Sequence, residues 1–421
     1  MTPIIIYNIK SLVGILETPV RLLKGTEMGV LNCIDNAFLI LKDEKIFNYG
    51  RMEDFQEVPQ DIKENSIEID ATGKMVLPSY CDSHTHLVYA ASREEEFVGR
   101  IKGLSYQDIA AKGGGILNSA KKLESATEAE LYDSAWKRLE GIIRTGTGAV
   151  EIKSGYGLSL ESELKMLRVI KKLKADSPLT IKATFLGAHA IPANYKNNKA
   201  GYIRLLMDEM MPAIAHEGLA DYCDVFCEEN YFTKEETILI LNAGKEHGMK
   251  PKVHAEQLSH SGGIEAGVAC NAISVDHAEF ANENDIYLLK DSSTMPTILP
   301  GAAFFLGLQD PPARQMINAG LPLAIASDYN PGSSPSGNMN IMLSIASIQY
   351  KMNPEEVINA ATINSAYAMD LSQTHGSITK GKVANMFITK EIPSYAFIPY
   401  SFGINLIETA ILNGKIITKN Y

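Results

Sequence analysis

The chain has 421 residues, of which 45% are hydrophobic and 21% charged, as is usual for folded globular proteins. Its 39 lysines and arginines against 50 aspartates and glutamates give a net charge of −11, which argues against a nucleic-acid partner because phosphates require a basic surface. The five cysteines do not suggest a disulfide framework, and the sequence shows neither a signal-peptide pattern nor an apolar run of membrane-spanning length. We therefore expect a cytoplasmic protein without a membrane partner.

Short segments of alternating polar and apolar residues, separated by turn residues, occupy both ends of the chain. Such alternation is typical of half-buried β-strands. Because the two ends share this pattern and the long middle does not, we expect residues 1–76 and 382–421 to form one small β-sandwich domain. Residues 77–381 would then form a separate catalytic domain.

The middle of the chain alternates near-continuous apolar runs with segments of helical periodicity. In the segment 160–173, for example, leucines and an isoleucine recur every three or four residues, as on one face of a helix. Eight buried strands alternating with helices predict a parallel (β/α)₈ barrel, although the same alternation also permits a doubly wound open sheet. The eight runs are 75–82, 148–154, 181–189, 222–228, 250–256, 271–277, 294–300 and 321–328.

Side chains that bind metals or transfer protons stand at the ends of several of these runs. They are His84, His86, His189, His254, His277 and Asp328. In a closed barrel the carboxyl ends of all strands open onto one mouth, where barrel enzymes place their active sites. This regular placement favours the barrel over the open sheet, and it predicts that these side chains meet.

His84 and His86 are two residues apart, so in an extended strand both imidazoles point in the same direction. A pair of this kind is weak evidence on its own. Together with His254 and Asp328 it forms a set of three nitrogen ligands and one oxygen ligand, which suits zinc or iron. We therefore predict a metal site formed by these four residues.

Several longer stretches resemble known proteins. The paired histidines, the strand-end histidines and the final aspartate are similar to those of the amidohydrolase superfamily, whose members combine a metal-binding barrel with a small β-domain. A closer resemblance rests on seven stretches: DSHTHLVYAASREEEF, GGGI, EIKSGYGLSLESELKMLRVI, TFLGAHAIP, DVFCE, VHAEQLSHSGG and SDYNPGSSP. Through these stretches the chain resembles, within that superfamily, the imidazolonepropionase family.

The resemblance also implies roles for individual residues. It places the metal ligands at His84, His86, His254 and Asp328, and it assigns His277 to orienting the attacking water. The substrate contacts would be Arg93, Tyr156 and His189, and the residues beside the ring-opened product would be Asn330, Gly332 and Ser333.

One position departs from the pattern of many family members. Where they carry a glutamate, this chain has Gln257, and a neutral amide cannot accept a proton as a base. We therefore expect Gln257 to hydrogen-bond the substrate. Proton transfer would fall to Asp328 and His277, and either the metal or a donor such as His189 would stabilise the developing charge on the carbonyl oxygen.

Members of the superfamily with two metals carry a lysine at the end of the fourth strand, but here that strand reads DVFCEEN. We therefore expect one Zn²⁺ or Fe³⁺ per subunit. Glu228, at the same place, is either a bridging ligand or a structural residue lining the pocket. The KGGGI stretch, residues 112–116, lacks the lysine–serine ending of a phosphate-binding loop and is expected to be a loop near the mouth.

The implied reaction is hydrolysis of the cyclic amide 4-imidazolone-5-propanoate to N-formimidoyl-L-glutamate. Arg93 would hold the propanoate carboxylate through two parallel hydrogen bonds, unless it only pairs with the acidic run 94–96. Two other functions stay open: a one-metal amidohydrolase acting on a purine or pterin, and a non-catalytic scaffold. We expect a homodimer, the commonest symmetric assembly.

Overall fold

The computed structural model describes residues 2–18, 20–104 and 114–417, so Lys112 and Gly113 of the KGGGI stretch lie outside the described residues. In chain order the strands are β1 Ile4–Val13, β2 Cys33–Lys42, β3 Lys45–Arg51, β4 Ile67–Asp70, β5 Lys74–Pro78, β6 Tyr80–Asp82, β7 Thr147–Lys153, β8 Thr180–Ala188, β9 Tyr222–Cys227, β10 Lys250–Ala255, β11 Ser274–His277, β12 Met295–Ile298, β13 Ala324–Ile325, β14 Met386–Glu391, β15 Ile407–Leu412 and β16 Lys415–Ile417.

The α-helices are α1 Gln60–Glu64, α2 Glu94–Ile101, α3 Ile116–Ser125, α4 Glu128–Arg144, α5 Leu160–Asp176, α6 Lys199–Arg204, α7 Met211–Glu217, α8 Lys234–Glu246, α9 Gly263–Ala269, α10 Glu283–Lys290, α11 Pro300–Leu306, α12 Ala313–Asn318, α13 Met339–Ile348, α14 Pro354–Asn359, α15 Ser365–Ala368 and α16 Phe397–Tyr400. Shorter 3₁₀ segments span Gly25–Gly29, Met52–Glu57 and Ala193–Tyr195, and π-helical segments span Leu205–Met210 and Ala360–Asn364. No helix among the described residues is long and apolar enough to cross a membrane.

Strands β6 to β13 form one parallel sheet in sequence order. The sheet closes on itself just beyond β6 and β13, where the backbone N–H of Asp328 donates to the carbonyl of His84 at 3.0 Å and that of His86 donates to the carbonyl of Tyr329 at 2.9 Å. This closure confirms the predicted barrel and excludes the open sheet. The residues that close the barrel are among those predicted to bind the metal.

The remaining strands form a second, mixed sheet with contributions from both ends of the chain, as predicted. Its order is β16-β15-β14-β5-β1-β2-β3, with β4 pairing to β1. The apolar run 75–82 is split between the two sheets, because β5 pairs with β14 in the mixed sheet and β6 pairs with β7 in the barrel. Both halves of the run are buried, and both are therefore apolar, although they belong to different sheets.

Helix α5 shows how the barrel helices form. Ser159 caps its first turn by accepting a hydrogen bond from the backbone N–H of Ser162. Its predicted apolar stripe is buried, with Leu167, Ile170 and Leu173 fully enclosed against the barrel. Glu163 is also enclosed on this helix, and a charged side chain at such a position requires hydrogen-bonding partners.

Candidate active site

His84 and His86 follow β6 and enter the carboxyl end of the barrel. They are separated by Thr85, whose hydroxyl instead donates to the carbonyl of Glu151 at 2.7 Å, so the expected alternation holds. Both histidines are buried. Their Nε2 atoms lie 3.6 and 3.5 Å, respectively, from Oδ1 of Asp328.

His254, near the end of β10, completes this cluster. Its Nε2 atom lies 3.3 Å from Nε2 of His86, and the centroids of its ring and that of His84 are 4.4 Å apart. One ligand atom from each of the three histidines lies within 4.8 Å of the others. The structure thus brings the four predicted ligands together from three separate parts of the chain.

A carboxylate stands behind two of these imidazoles. Nδ1 of His84 lies 2.7 Å from Oδ2 of Asp276, and Nδ1 of His254 lies 3.0 Å from Oδ2 of Asp224. The contact of His84 is a hydrogen bond, and an imidazole that donates its Nδ1 proton to a carboxylate presents an unprotonated Nε2, as is typical of metal-binding histidines. Lys153 lies between the two aspartates, 2.8 Å from Asp224 and 3.6 Å from Asp276.

The electrostatics of the cluster suit a metal ion. Burial, the nearby Lys153 ammonium and the neighbouring imidazoles hold the pKa of His84 well below its usual value. Burial and the imidazole of His189 do the same to the pKa of His86. Nε2 of His84 is buried and has no hydrogen-bond partner among the residues that the structure describes. A buried, neutral nitrogen of this kind beside a carboxylate fits a metal ligand.

His277 ends β11 in a strained conformation, with a φ of 92°. Its ring centroid lies 5.6 Å from that of His84 and 5.4 Å from that of His254. Burial lowers the pKa of His277, but the carboxylates of Glu279, 3.4 Å from Nδ1, of Asp328 and of Asp276 together outweigh this effect and raise the pKa above its usual value. His277 therefore lies beside the histidine cluster and binds a proton more readily than His84 and His86 do.

His189 and Tyr156 form another wall of the pocket. The ring of His189 stacks on that of His86 with centroids 5.1 Å apart, and the ring centroid of Tyr156 lies 5.4 Å from that of His189. Nδ1 of His189 lies 3.0 Å from the carbonyl oxygen of Gly155. Burial and the imidazole of His254 lower the pKa of His189 to about 3, so its ring is neutral at physiological pH.

Arg93 lines the same pocket and is only 9% exposed. It does pair with an acidic neighbour, since its Nε and Nη2 atoms donate to Glu96 Oε2 at 2.8 and 2.6 Å. The other carboxylate oxygen of Glu96 accepts hydrogen bonds from the backbone of Gly115 and the amide of Asn118. This arginine is therefore a buried pocket residue with a fixed orientation, rather than a member of a solvated turn.

The loop after β13 carries Asn330, Gly332 and Ser333. The Asn330 side-chain oxygen accepts hydrogen bonds from the backbone N–H groups of Gly332 and Ser333 at 2.7 and 2.8 Å, so this side chain shapes its own loop. The Ser333 hydroxyl donates to Oδ2 of Asp328 at 3.1 Å. The loop thus also orients the carboxylate of the predicted ligand.

Gln257 lines the pocket, and buried carboxylates hold the segment that follows it. Glu228 accepts hydrogen bonds from the backbone N–H groups of Leu258 and Ser259 at 2.8 and 3.3 Å. Glu256 accepts from the backbone of Gly263 and Ile264. Of the two roles left open for Glu228, the contacts support the structural one.

The predicted site residues meet in one place. One pocket is lined by all of them except His84, and its remaining lining consists of apolar side chains: Ile116, Phe226, Leu258 and Leu306. A lining that combines apolar side chains with a guanidinium, imidazoles and a carboxylate suits a small polar ring that bears an acidic arm.

Several supporting residues were not predicted from the sequence. Asp224 and Asp276 stand behind the histidines, Glu96 holds Arg93, and Glu163 and Glu279 contact the segments that carry Tyr156 and His277. A signal did exist for some of them. A charged residue in an otherwise apolar strand, such as the aspartate immediately before His277, is costly to bury and thus marks a network.

Comparisons with known proteins agree with this geometry. The sequence profile of the amidohydrolase family matches residues 75–417. The imidazolonepropionase of Flavobacterium johnsoniae is 57% identical over 413 residues, which cover 98% of this chain and 99% of that protein. The imidazolonepropionase of Clostridium tetani is 43% identical over 396 residues, covering 94% of each chain.

Solved structures are similar in fold at much lower identity. A triazine hydrolase variant has a TM-score of 0.76 and 14% identity, covering 100% of this chain and 95% of its own. E. coli guanine deaminase has a TM-score of 0.71 and 14% identity, covering 99% of this chain and 100% of its own. At these identities the likeness establishes the shared fold of barrel and accompanying sheet.

Proposed function

The chain belongs to the imidazolonepropionase family of metal-dependent amidohydrolases, and we propose how its pocket hydrolyses 4-imidazolone-5-propanoate to N-formimidoyl-L-glutamate. The reaction adds water across the ring amide: the carbonyl carbon gains an oxygen, the bond from that carbon to the ring nitrogen breaks, and the nitrogen takes a proton. The pocket must therefore hold an anionic arm, orient a ring carbonyl and move one proton.

We propose that His84, His86, His254 and Asp328 hold one Zn²⁺ or iron ion per subunit. The convergence of their ligand atoms and the unpartnered Nε2 of His84 support this assignment. When bound, such an ion polarises a carbonyl group and lowers the pKa of water to about 7. Elemental analysis of protein purified without chelator identifies the metal and its stoichiometry.

Arg93 is proposed to bind the propanoate carboxylate. A guanidinium matches a carboxylate through parallel hydrogen bonds, and the pairing of Arg93 Nε with Glu96 orients the group while the side chain lines the pocket. A purine or pterin lacks this carboxylate arm, so a buried arginine at this place favours the imidazolone substrate. This observation carries the substrate assignment within the family.

Tyr156, His189 and Gln257 are proposed to contact the ring. His189 is neutral and carries one ring proton, which Nδ1 donates to the Gly155 carbonyl, so its Nε2 atom can only accept a hydrogen bond. Nε2 therefore suits an N–H group of the substrate ring, and His189 does not fit the expected role of stabilising the developing negative charge. The oxygen that becomes negative as the carbonyl carbon turns tetrahedral requires a donor such as the Tyr156 hydroxyl. Gln257 offers both a donor and an acceptor, which suits the ring nitrogens and their substituents.

Asp328 and His277 are proposed to carry the proton from water to the departing nitrogen. Burial raises the pKa of Asp328, which favours its acceptance of a proton, and the Ser333 hydroxyl fixes one of its oxygens. His277 adjoins the same cluster in a strained backbone conformation, as is common for residues that act directly in a reaction. Asn330, Gly332 and Ser333 would surround the released product.

The decisive experiment assays the purified protein on 4-imidazolone-5-propanoate and on a panel of purines and pterins. Turnover of the imidazolone alone, its loss on chelation and its loss in Asp328→Asn support the proposal. Turnover of a purine or pterin with no preference for the imidazolone would favour the other hydrolase. A metal-free, inactive protein would favour the scaffold.

We further propose that the protein is a cytoplasmic homodimer. All five cysteines are free, as is usual in reducing compartments. Light scattering at several protein concentrations measures the assembly, and fractionation of cells that produce the protein measures its location.

A further inference from the structure

One buried carboxylate lies outside the metal cluster and contacts the segment that carries the pocket residue Tyr156. Glu163 is on helix α5 and is fully enclosed. Ionised groups are rarely buried unless they are paired or well hydrogen-bonded. Burial raises the pKa of Glu163, while the Ser154 hydroxyl and the backbone N–H groups around it oppose that rise by favouring the ionised form.

The partners of Glu163 surround a single residue of the loop after β7. Its Oε1 atom accepts hydrogen bonds from the backbone of Gly157 at 2.7 Å and Leu158 at 2.9 Å, and its Oε2 atom accepts one from Gly155 at 3.2 Å. These donors flank Tyr156 on both sides. The approach is so close that a Cβ atom on Gly157 would lie 2.4 Å from the backbone nitrogen of Glu163.

The segment held in this way reaches two proposed substrate contacts. Tyr156 belongs to it, and the carbonyl of Gly155 contacts Nδ1 of His189 at 3.0 Å. Gly155 has a φ of 104°, and a Cβ atom there would lie 2.9 Å from the same nitrogen, so only glycine fits. The position of the segment therefore determines where both the phenol ring and the imidazole stand.

We infer that Glu163 is a positioning residue that anchors the segment 154–158 and thereby places Tyr156 and His189 for substrate binding. The inference rests on the proposed function for its kinetic consequences. Fixing binding groups in advance lowers the cost of binding, so loosening the anchor should weaken substrate binding more than it slows the chemical step. Metal binding should be unchanged because the backbone hydrogen bonds that Glu163 accepts all come from this segment.

The test compares Glu163→Gln with Glu161→Gln, which removes an exposed glutamate from the same helix. We expect Glu163→Gln to raise KM for 4-imidazolone-5-propanoate about ten-fold, with a smaller effect on kcat and wild-type metal content. Hydrogen exchange should accelerate in the peptide that covers residues 154–158 and nowhere else. Glu161→Gln should match the wild type in all three measurements.

A double-mutant cycle with Tyr156→Phe separates positioning from general stability. If Glu163 acts through the segment that carries Tyr156, the KM effect of Glu163→Gln should be smaller in the Tyr156→Phe background. Equal effects in both backgrounds, or wild-type exchange in the segment, would overturn the inference. If Glu163→Gln does not fold, Glu163→Asp, which keeps the charge and shortens the side chain, undergoes the same measurements.

Failure of the proposed function has a different signature. In that case the wild-type protein would not turn over the imidazolone, while hydrogen exchange in the segment 154–158 would still show whether Glu163 anchors it. Accelerated exchange restricted to the segment in an inactive protein would support the anchor and reject the function.

Discussion

The guanidinium group of Arg93 lies directly against Gly332, so closely that a Cβ atom at residue 332 would be 2.2 Å from Arg93 Nη1. The contact joins the start of helix α2 to the loop after β13, two parts of the barrel that are distant in sequence. Gly332 has no need of glycine's conformational freedom, since its φ is outside the left-handed region. Residue 332 is therefore a glycine because the Arg93 guanidinium occupies the space that a Cβ atom would need.

Gly332→Ala should displace the Arg93 guanidinium without unfolding the chain, because a flexible side-chain end can move aside. We expect KM for the imidazolone to rise about ten-fold, with metal content unchanged and kcat less affected. Gly141→Ala is the matched control, since a Cβ atom there meets no atom of the described residues within 4 Å outside the backbone of its own helix. A KM equal to that of the wild type would show that the position of Arg93 does not govern substrate binding.

Arg93→Lys keeps the positive charge and removes the planar fork. A lysine cannot bind Glu96 through two nitrogens and also present a second edge to a carboxylate, so we expect a large rise in KM, about ten-fold or more. Steady-state kinetics and metal analysis measure the effect. Arg168→Lys alters an exposed arginine that makes a two-bond pair with Glu217, and it should leave the kinetics unchanged.

Asp276→Asn tests the carboxylate behind His84. The substitution removes the charge that favours an Nδ1 proton and an unprotonated Nε2, so metal affinity should fall about ten- to one hundred-fold. Competition with a chelator, followed by elemental analysis, measures this affinity directly. Asp370→Asn, which alters an exposed aspartate paired with Lys250, is the control. Unchanged affinity in Asp276→Asn would mean that the aspartate only balances the charge of the buried Lys153.

The barrel and the convergence of the four proposed ligands could be predicted because polar residues recur where apolar runs end. Parallel strands in a barrel bring their carboxyl ends to one mouth, so residues at those positions converge in space. The division of the run 75–82 could not be predicted in the same way. Both sheets bury their strands, so nothing in the composition around Ser79 shows that the chain passes from one sheet to the other.

The supporting carboxylates were missed for another reason. Glu163 lies on the buried face of an otherwise ordinary amphipathic helix, and its partners are mostly backbone N–H groups, which no side-chain motif reports. Lys153, Asp224 and Asp276 are visible as charges within apolar strands, but their pairing depends on distances across the closed barrel. Local patterns identify such groups as unusual, while only the tertiary structure shows what they hold.

His277→Asn tests the proposed proton carrier. Loss of a group that transfers protons in the transition state should lower kcat about one hundred- to ten-thousand-fold while KM and metal content change little. His260→Asn, at an exposed histidine paired with Asp285, should have wild-type activity. Loss of metal from the His277 variant would instead make this residue a ligand, and wild-type kcat would remove it from proton transfer.

We predict that the burial of His375 makes the free energy of unfolding depend on pH, independently of catalysis. It is buried between the hydroxyls of Thr180 and Thr374, which lie 3.0 and 2.8 Å from its two ring nitrogens. Burial and the nearby Lys382 ammonium lower its pKa from 6.5 to about 4. The unfolded chain therefore binds a proton at this residue over a pH range in which the folded protein does not.

The stabilising contribution of His375 is fully present above pH 6.5 and is lost as the pH falls toward about 4, because protons then favour the unfolded state. Between pH 6.5 and about pH 4, the free energy of unfolding should therefore fall by about 3 kcal/mol less in His375→Asn than in the wild type. Urea titrations of His375→Asn and the wild type across this range measure the difference, with His216→Asn at an exposed histidine as control. Parallel pH curves for the wild type and His375→Asn would mean that His375 is protonated alike in the folded and unfolded states.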